Sequence, residues 1–148
     1  MTTQKIQVAI KADAEKVFDA LTNGKITPAY YFGFEADYDL APGRPYRYTA
    51  GGADMITGTV LAVEPGRSLQ ASFRGAWTPD VAQLPESTVT FTLSDPPMPT
   101  PGVTVLTLLH EGLPATETAA GVEIGWVLIL SGLKTFLETE RPMVDAPH

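Results

Sequence analysis

Cysteine is absent from the chain, and histidine occurs only at His110 and His148. The first absence excludes disulfides and thiolate metal sites. The second leaves too few imidazoles for a histidine-built zinc site, so no metal and no cofactor are expected. Basic charge is scarce too: ten Lys and Arg stand against 17 Asp and Glu, a formal net charge of -7. A surface of that sign repels phosphate backbones and anionic lipid headgroups. No Lys/Arg cluster offsets it locally, so neither nucleic acid nor membrane is expected as a partner. Long hydrophobic runs are missing as well. The most apolar stretch, GVEIGWVLILSGLKTFLETERP from Gly121 to Pro142, has only ten uncharged residues between Glu123 and Lys134. A bilayer needs about 20. The opening MTTQKIQVAIKADAEK holds no continuous apolar segment and no small-residue cleavage site. No secretory signal is therefore expected, and the expected location is cytoplasmic. There is no internal repeat, and no GxSxG, HExxH, P-loop or GxGxxG motif.

What is present suits one domain. A chain of 148 residues buries roughly 70% of its unfolded surface, enough for a core without staples. The expectation is a single domain over residues 1–148, with flexible ends at about 1–5 and 142–148. QKIQVAIKA alternates, with Ile6, Val8 and Ile10 on one face, as in a half-buried strand. Asp13 then caps a helix with Glu15 in its first turn, a buried stripe of Val17, Phe18 and Leu21, and an end at Asn23-Gly24. ITPAYYFG reads as a second short helix, with Pro28 in its first turn and Tyr30, Tyr31 and Phe32 along it.

After this the period switches to two. FEADYDL and PYRYTA flank APGRP, where Pro42-Gly43 suits a type II turn. DMITGTVLAVE, SLQASFRGAW, STVTFTLS and GVTVLTLLHEG follow as further strands, joined by a turn at PGR and loops at TPDVAQLPE and the stiff DPPMPTPG. A five-residue loop from Ala41 to Pro45 would set Arg47 opposite Asp39 and Tyr48 opposite Tyr38. Glu35, Asp37 and Asp39 share a strand face. They read as its solvated side, with Phe34, Ala36, Tyr38 and Leu40 opposite. GGADM, Gly51 to Met55, reads as a flexible hairpin tip.

The apolar stretch closes the chain as a helix stopped by Pro142. At 100° per residue, Val122, Trp126, Ile129, Leu130, Leu133, Phe136 and Leu137 fall in one arc about 120° wide. Glu123, Val127, Ser131, Lys134 and Glu138 lie on the wetter side. Ile124 and Leu128 form a second apolar patch, and Gly125 and Gly132 lie between the two patches. Tight internal packing is the favoured explanation of those glycines, with a partner chain or a ligand as alternatives. A lone helix after an antiparallel sheet must bury its apolar face on that sheet, which makes the fold α+β.

ADAEKVFDALTN, DLAPGRPYRY, GTVLAVEPGRSLQASF, ESTVTFTL, VTVLTLLHEGLP and the helical GW with Leu130, Leu133 and Leu137 stand in an order that resembles a known family. It is that of the homologues of the activator of heat-shock-protein-90 ATPase, in the START-like (Bet v 1-like, SRPBCC) superfamily. The resemblance covers about Ile6 to Leu137. It implies a helix-grip fold, a curved antiparallel sheet wrapped around a long C-terminal helix with two short helices after the first strand. It also implies a hollow core, a cavity for a small apolar molecule between sheet and helix. Two departures fall near the cavity: Tyr30 and Tyr31 stand where the family often has tryptophan, and DPPMPTPG replaces a usually short loop. A relative's ligand therefore does not carry over.

Alternation turns Phe73, Val89, Phe91, Leu93, Leu106 and Leu108 inward, with Tyr46 and Tyr48 sharing a face and Trp77 beyond a strand end. The candidate ligand-binding set is Tyr30, Tyr31, Tyr46, Tyr48, Phe73, Trp77, Phe91, Leu108 and His110, with Trp126, Ile129, Leu130 and Leu133 from the helix. A solid core is the alternative for all of them. His110 follows Leu106 and Leu108 at period two, and its simplest reading is a strand-end histidine bonded to backbone. Binding of a small hydrophobic or aromatic molecule without catalysis is the leading expectation. One alternative is an enzyme of the polyketide cyclase or hydrolase type using His110 and tyrosines. Another is a chaperone-associated or homodimeric interaction protein, with Ile124 and Leu128 at the interface.

Overall fold

Period-two strands and a long closing helix divide the chain, with a one-turn helix inside the expected loop TPDVAQLPE, in a computed structural model that describes residues 1–144. The strands are β1 (Thr2–Ile10), β2 (Glu35–Tyr38), β3 (Pro45–Ala50), β4 (Ala53–Glu64), β5 (Ser68–Gly75), β6 (Ser87–Ser94) and β7 (Thr104–Leu113). The helices are α1 (Ala14–Thr22), a one-turn α2 (Pro79–Ala82) and α3 (Glu117–Thr139). All seven strands form one curved antiparallel sheet in the order β1-β7-β6-β5-β4-β3-β2, with α3 packed across it. Register shifts interrupt β4 between Val60 and Ala62 and β3 between Tyr48 and Thr49. Such bulges bend a strand and sharpen the local twist, which suits a sheet that must curl around a helix.

Local chemistry accounts for the element ends. The Asp13 carboxylate accepts from the Lys16 N–H and caps α1, and Thr116 caps α3 through the Ala119 N–H. The β2–β3 connection closes through the Arg44 N–H donating to the Ala41 carbonyl, with Gly43 at φ +84° as a type II turn requires. α3 buries Val122, Trp126, Ile129, Leu130, Leu133 and Leu137 on the sheet, each apolar side chain contributing about 1.5–3 kcal/mol. Glu35, Asp37 and Asp39 are exposed, as their alternation predicts.

Four expectations need correction. The loose N-terminus is instead strand: Thr2 to Lys5 pair with β7, and the Gln4 side chain is buried and donates to the Ala119 carbonyl. At the other end Pro142 to Val144 are exposed and outside any element, while residues 145–148, with His148, lie outside the described residues. ITPAYYFG makes only a single 3-10 turn, Thr27–Ala29; Tyr30 to Phe34 cross over as a bend in which Phe32 has φ +54° and Gly33 φ +77°. The β2–β3 register is shifted by two residues, with Tyr38 opposite Tyr46 and Asp37 opposite Arg47. The connection is longer than a five-residue loop because Asp39 and Leu40 leave the ladder, but parity is kept and so are the faces. Finally, α3 begins four residues before Gly121 and runs for 23 residues, long and apolar enough by length and composition to cross a membrane. Its apolar arc lies on the sheet, which makes it the core helix of this fold.

Candidate functional site

The interior beneath α3 is largely filled by tyrosines. Tyr38 and Tyr46 stack at 4.9 Å between ring centroids, and Tyr31 lies 4.6 Å from Tyr48. All the tyrosine hydroxyls but that of Tyr31 find partners in the protein. Tyr46 donates to the Ser72 carbonyl at 2.6 Å, Tyr30 to the Ala20 carbonyl at 2.6 Å, and Tyr38 and Tyr48 bond each other at 2.9 Å. Burial pushes all five phenols above their ordinary range, and for Tyr31, Tyr38 and Tyr48 the neighbouring phenols add to it. Between these rings, Phe91 and Trp126 only about 10 Å³ is left, the space of one water at most.

His110 sits beside this filled region with no exposed surface. The Trp126 indole N–H donates to its Nδ1 at 2.9 Å, and its Nε2 lies 2.7 Å from the Ser87 hydroxyl. An indole nitrogen can only donate, so Nδ1 is unprotonated and Nε2–H donates to Ser87, which in turn donates to the Phe73 carbonyl at 3.3 Å. His110 is thus a satisfied histidine, but it lies within β7 rather than at a strand end, and its partners are side chains rather than the expected backbone. Burial lowers its pKa to about 4, so it is neutral at pH 7. Its one lone pair is occupied, and Glu111 points away to solvent.

Free space opens at one end of the helix. A cleft of about 430 Å³ lies between the first half of α3, the bend after the 3-10 turn, and the edge of β4 and β5. Phe73, Trp126 and Ile56 form its floor, Tyr31, Phe32 and Phe34 one wall, and Val122, Gly125 and Ile129 of α3 the other, with Trp77 beside β5. Trp77 reaches back because Gly75 carries no side chain; a Cβ there would come within 2.6 Å of the indole ring. Ile124 and Leu128, read from the sequence as a separate apolar patch, are its rim and remain 60% and 45% exposed. Tyr31 is the only lining residue with an ionisable side chain.

Of the candidate residues, Tyr31, Phe73, Trp77, Trp126 and Ile129 meet at this cleft, and Tyr46, Tyr48 and Phe91 surround the filled region. Tyr30, Leu108, His110, Leu130 and Leu133 are buried behind or beside both and line neither. The sequence reading missed Phe32, Phe34, Ile56, Gly121, Val122, Ile124 and Leu128 as lining residues, and it gave a ligand beside Gly125 only as an alternative to packing. The run YYFGF held a signal for the first two, since aromatics on both sides of a glycine are costly to expose. Among the described residues no group of three His, Asp or Glu side chains converges as a metal site.

Known proteins share this fold. The protein MLL2253 from Mesorhizobium loti is 27% identical with a TM-score of 0.75, covering 93% of this chain and 97% of its own. The Aha1 dimer from Colwellia psychrerythraea is 18% identical with a TM-score of 0.73, over 94% of this chain and 98% of its own. PFC0360w, an HSP90 activator from Plasmodium falciparum, is 19% identical with a TM-score of 0.74, over 93% of this chain and 97% of its own. The last two likenesses are of fold alone. No curated protein matches the chain at comparable significance. The family model described as activator of Hsp90 ATPase homolog 1-like protein matches residues 11–138. By sequence pattern, helix-grip fold and this match, the chain belongs to the family of activator of Hsp90 ATPase homolog 1-like proteins.

Proposed function

We propose that the cleft binds a small, uncharged apolar or aromatic molecule and that the chain acts by holding it. The observation that carries this reading is an apolar cavity of about 430 Å³ whose floor is already ordered. Trp126 is 3% exposed and pinned by His110, so little side-chain freedom is lost on binding. Volume and lining both suit a small-molecule site. Catalysis by His110 has less support, because a base needs a free lone pair within reach of substrate and Trp126 occupies this one. Pairing of two copies is the second reading: Ile124, Val127 and Leu128 leave α3 with an exposed apolar strip, and the Colwellia relative is a dimer.

Comparison of native and denaturing mass spectra of gently purified protein tests both. The expected result is an added small mass in the native spectrum only, lost in Leu128→Asp, whose rim position leaves folding intact. A bare native mass, with no apolar probe taken up on addition, would overturn the binding role. A native mass of one chain at micromolar concentration would argue against pairing.

A further inference from the structure

α3 carries three glycines, at Gly121, Gly125 and Gly132, and each weakens a helix by roughly 1 kcal/mol against alanine. Packing explains only one of them. A Cβ at Gly132 would lie 3.3 Å from the Tyr30 side chain and 3.4 Å from its carbonyl oxygen, so glycine lets the 3-10 turn approach the helix. A Cβ at Gly121 or Gly125 would meet nothing within 4 Å. Both nevertheless line the cleft, one helical turn apart on the same wall. The rings of Tyr31, Phe73 and Trp77 line the same cleft.

We infer that Gly121 and Gly125 set the specificity of the cleft, leaving a slot between bare helix and aromatic rings that takes a flat, uncharged, multi-ring molecule and refuses a globular one. The inference rests on the binding role proposed above. Aromatic faces favour offset-stacked or edge-to-face partners, and a planar group gains such contacts while lying against a backbone without side chains. The lining offers no charge to pair with an ionic ligand, and desolvating one there would be unfavourable. Tyr31 supplies a polar contact. It is 4% exposed, and among the described residues it is the one tyrosine whose hydroxyl has no protein partner. One hydroxyl or carbonyl on the ligand would satisfy it.

The test compares two neutral alcohols, 9-anthracenemethanol (planar, read by its fluorescence anisotropy) and 1-adamantanol (globular, read by displacement and by Trp fluorescence). The wild-type chain is expected to prefer the planar alcohol. Gly125→Val should weaken that alcohol about tenfold or more, the usual effect of misplaced methyl groups in an apolar pocket. Gly125→Ala is the milder companion, and its thermal midpoint should match or exceed the wild type, which separates a filled slot from a damaged fold. Equal affinity for both alcohols, or planar binding unchanged in Gly125→Val, would overturn the inference and leave the binding role standing. Binding of neither alcohol, with no apo-to-bound change in Trp fluorescence, would overturn the binding role itself.

Discussion

His110 shows how one side chain can be held in a single protonation state by its neighbours. Trp126 needs an acceptor and Ser87 can take a donor, so the neutral Nε2–H tautomer satisfies both. The consequence is a pH dependence of stability. The folded-state pKa, about 4, lies below the ordinary 6.5. The unfolded chain therefore takes up this proton first as pH falls. Stability from this group is complete above pH 6.5 and is lost as pH drops through the window to about 4, at about 1.4 kcal/mol per pH unit. Urea unfolding at a series of pH values should show a loss on the order of 3 kcal/mol across that window that His110→Gln lacks. Parallel pH profiles for the two proteins would show that His110 takes up its proton equally in the folded and unfolded chains.

Among the elements, α3 carries most of the consequence. Its arc seats it on the sheet, and Lys134 and Glu138 tie its last turns to β1, Lys134 through the Ala9 carbonyl and Glu138 through the Lys11 N–H. Hydrogen bonds from Lys134 and Lys11 hold the Glu138 carboxyl below its usual range. The helix then ends at Glu140, whose N–H donates to the Phe136 carbonyl from a left-handed conformation with φ +62°. A side chain is disfavoured there, and glycine is the usual residue at such an end. Glu140→Gly is expected to raise the unfolding free energy by about 1 kcal/mol, read as a higher urea midpoint at unchanged slope. A lower midpoint would mean that Glu140 contributes a contact outweighing its backbone strain.

The molecule as a whole is held at one end by its tyrosine cluster, which joins β2, β3, β5 and the bend before β2 to the carbonyls of α1. All five phenols have raised pKa values, so each stays neutral in the folded chain while an unfolded one ionises near 10. Their contribution is complete below pH 10 and is lost as pH rises beyond it. Alkaline titration followed by ultraviolet absorbance should show no phenol ionising near 10. All five should then ionise together, in step with the loss of circular dichroism. Early ionisation of one or two phenols would mean that the cluster opens locally. The same cluster decides where this region is empty: its interior is filled by phenol rings, and the cleft of about 430 Å³ opens at the helix's first half.

The succession of strands, the antiparallel sheet, the cap at Asp13 and the buried arc of α3 were determined by the sequence alone, because each follows from spacing along one element or from side chains within a few residues. Inward-facing residues were legible for the same reason: parity along a strand survives even a register shift of two, as at Tyr38 and Tyr46. The position of the cleft was not legible. Phe32 and Phe34 reach it through a bend with two positive-φ residues, and Ile56 and Gly125 meet there from elements far apart in the chain. Likewise, His110 read as a backbone-bonded residue until the strands brought Ser87 and the helix brought Trp126. Periodicity reports which face of an element is apolar; which apolar faces touch and which leave a gap depends on side-chain volumes meeting across elements, and only the tertiary structure decided that.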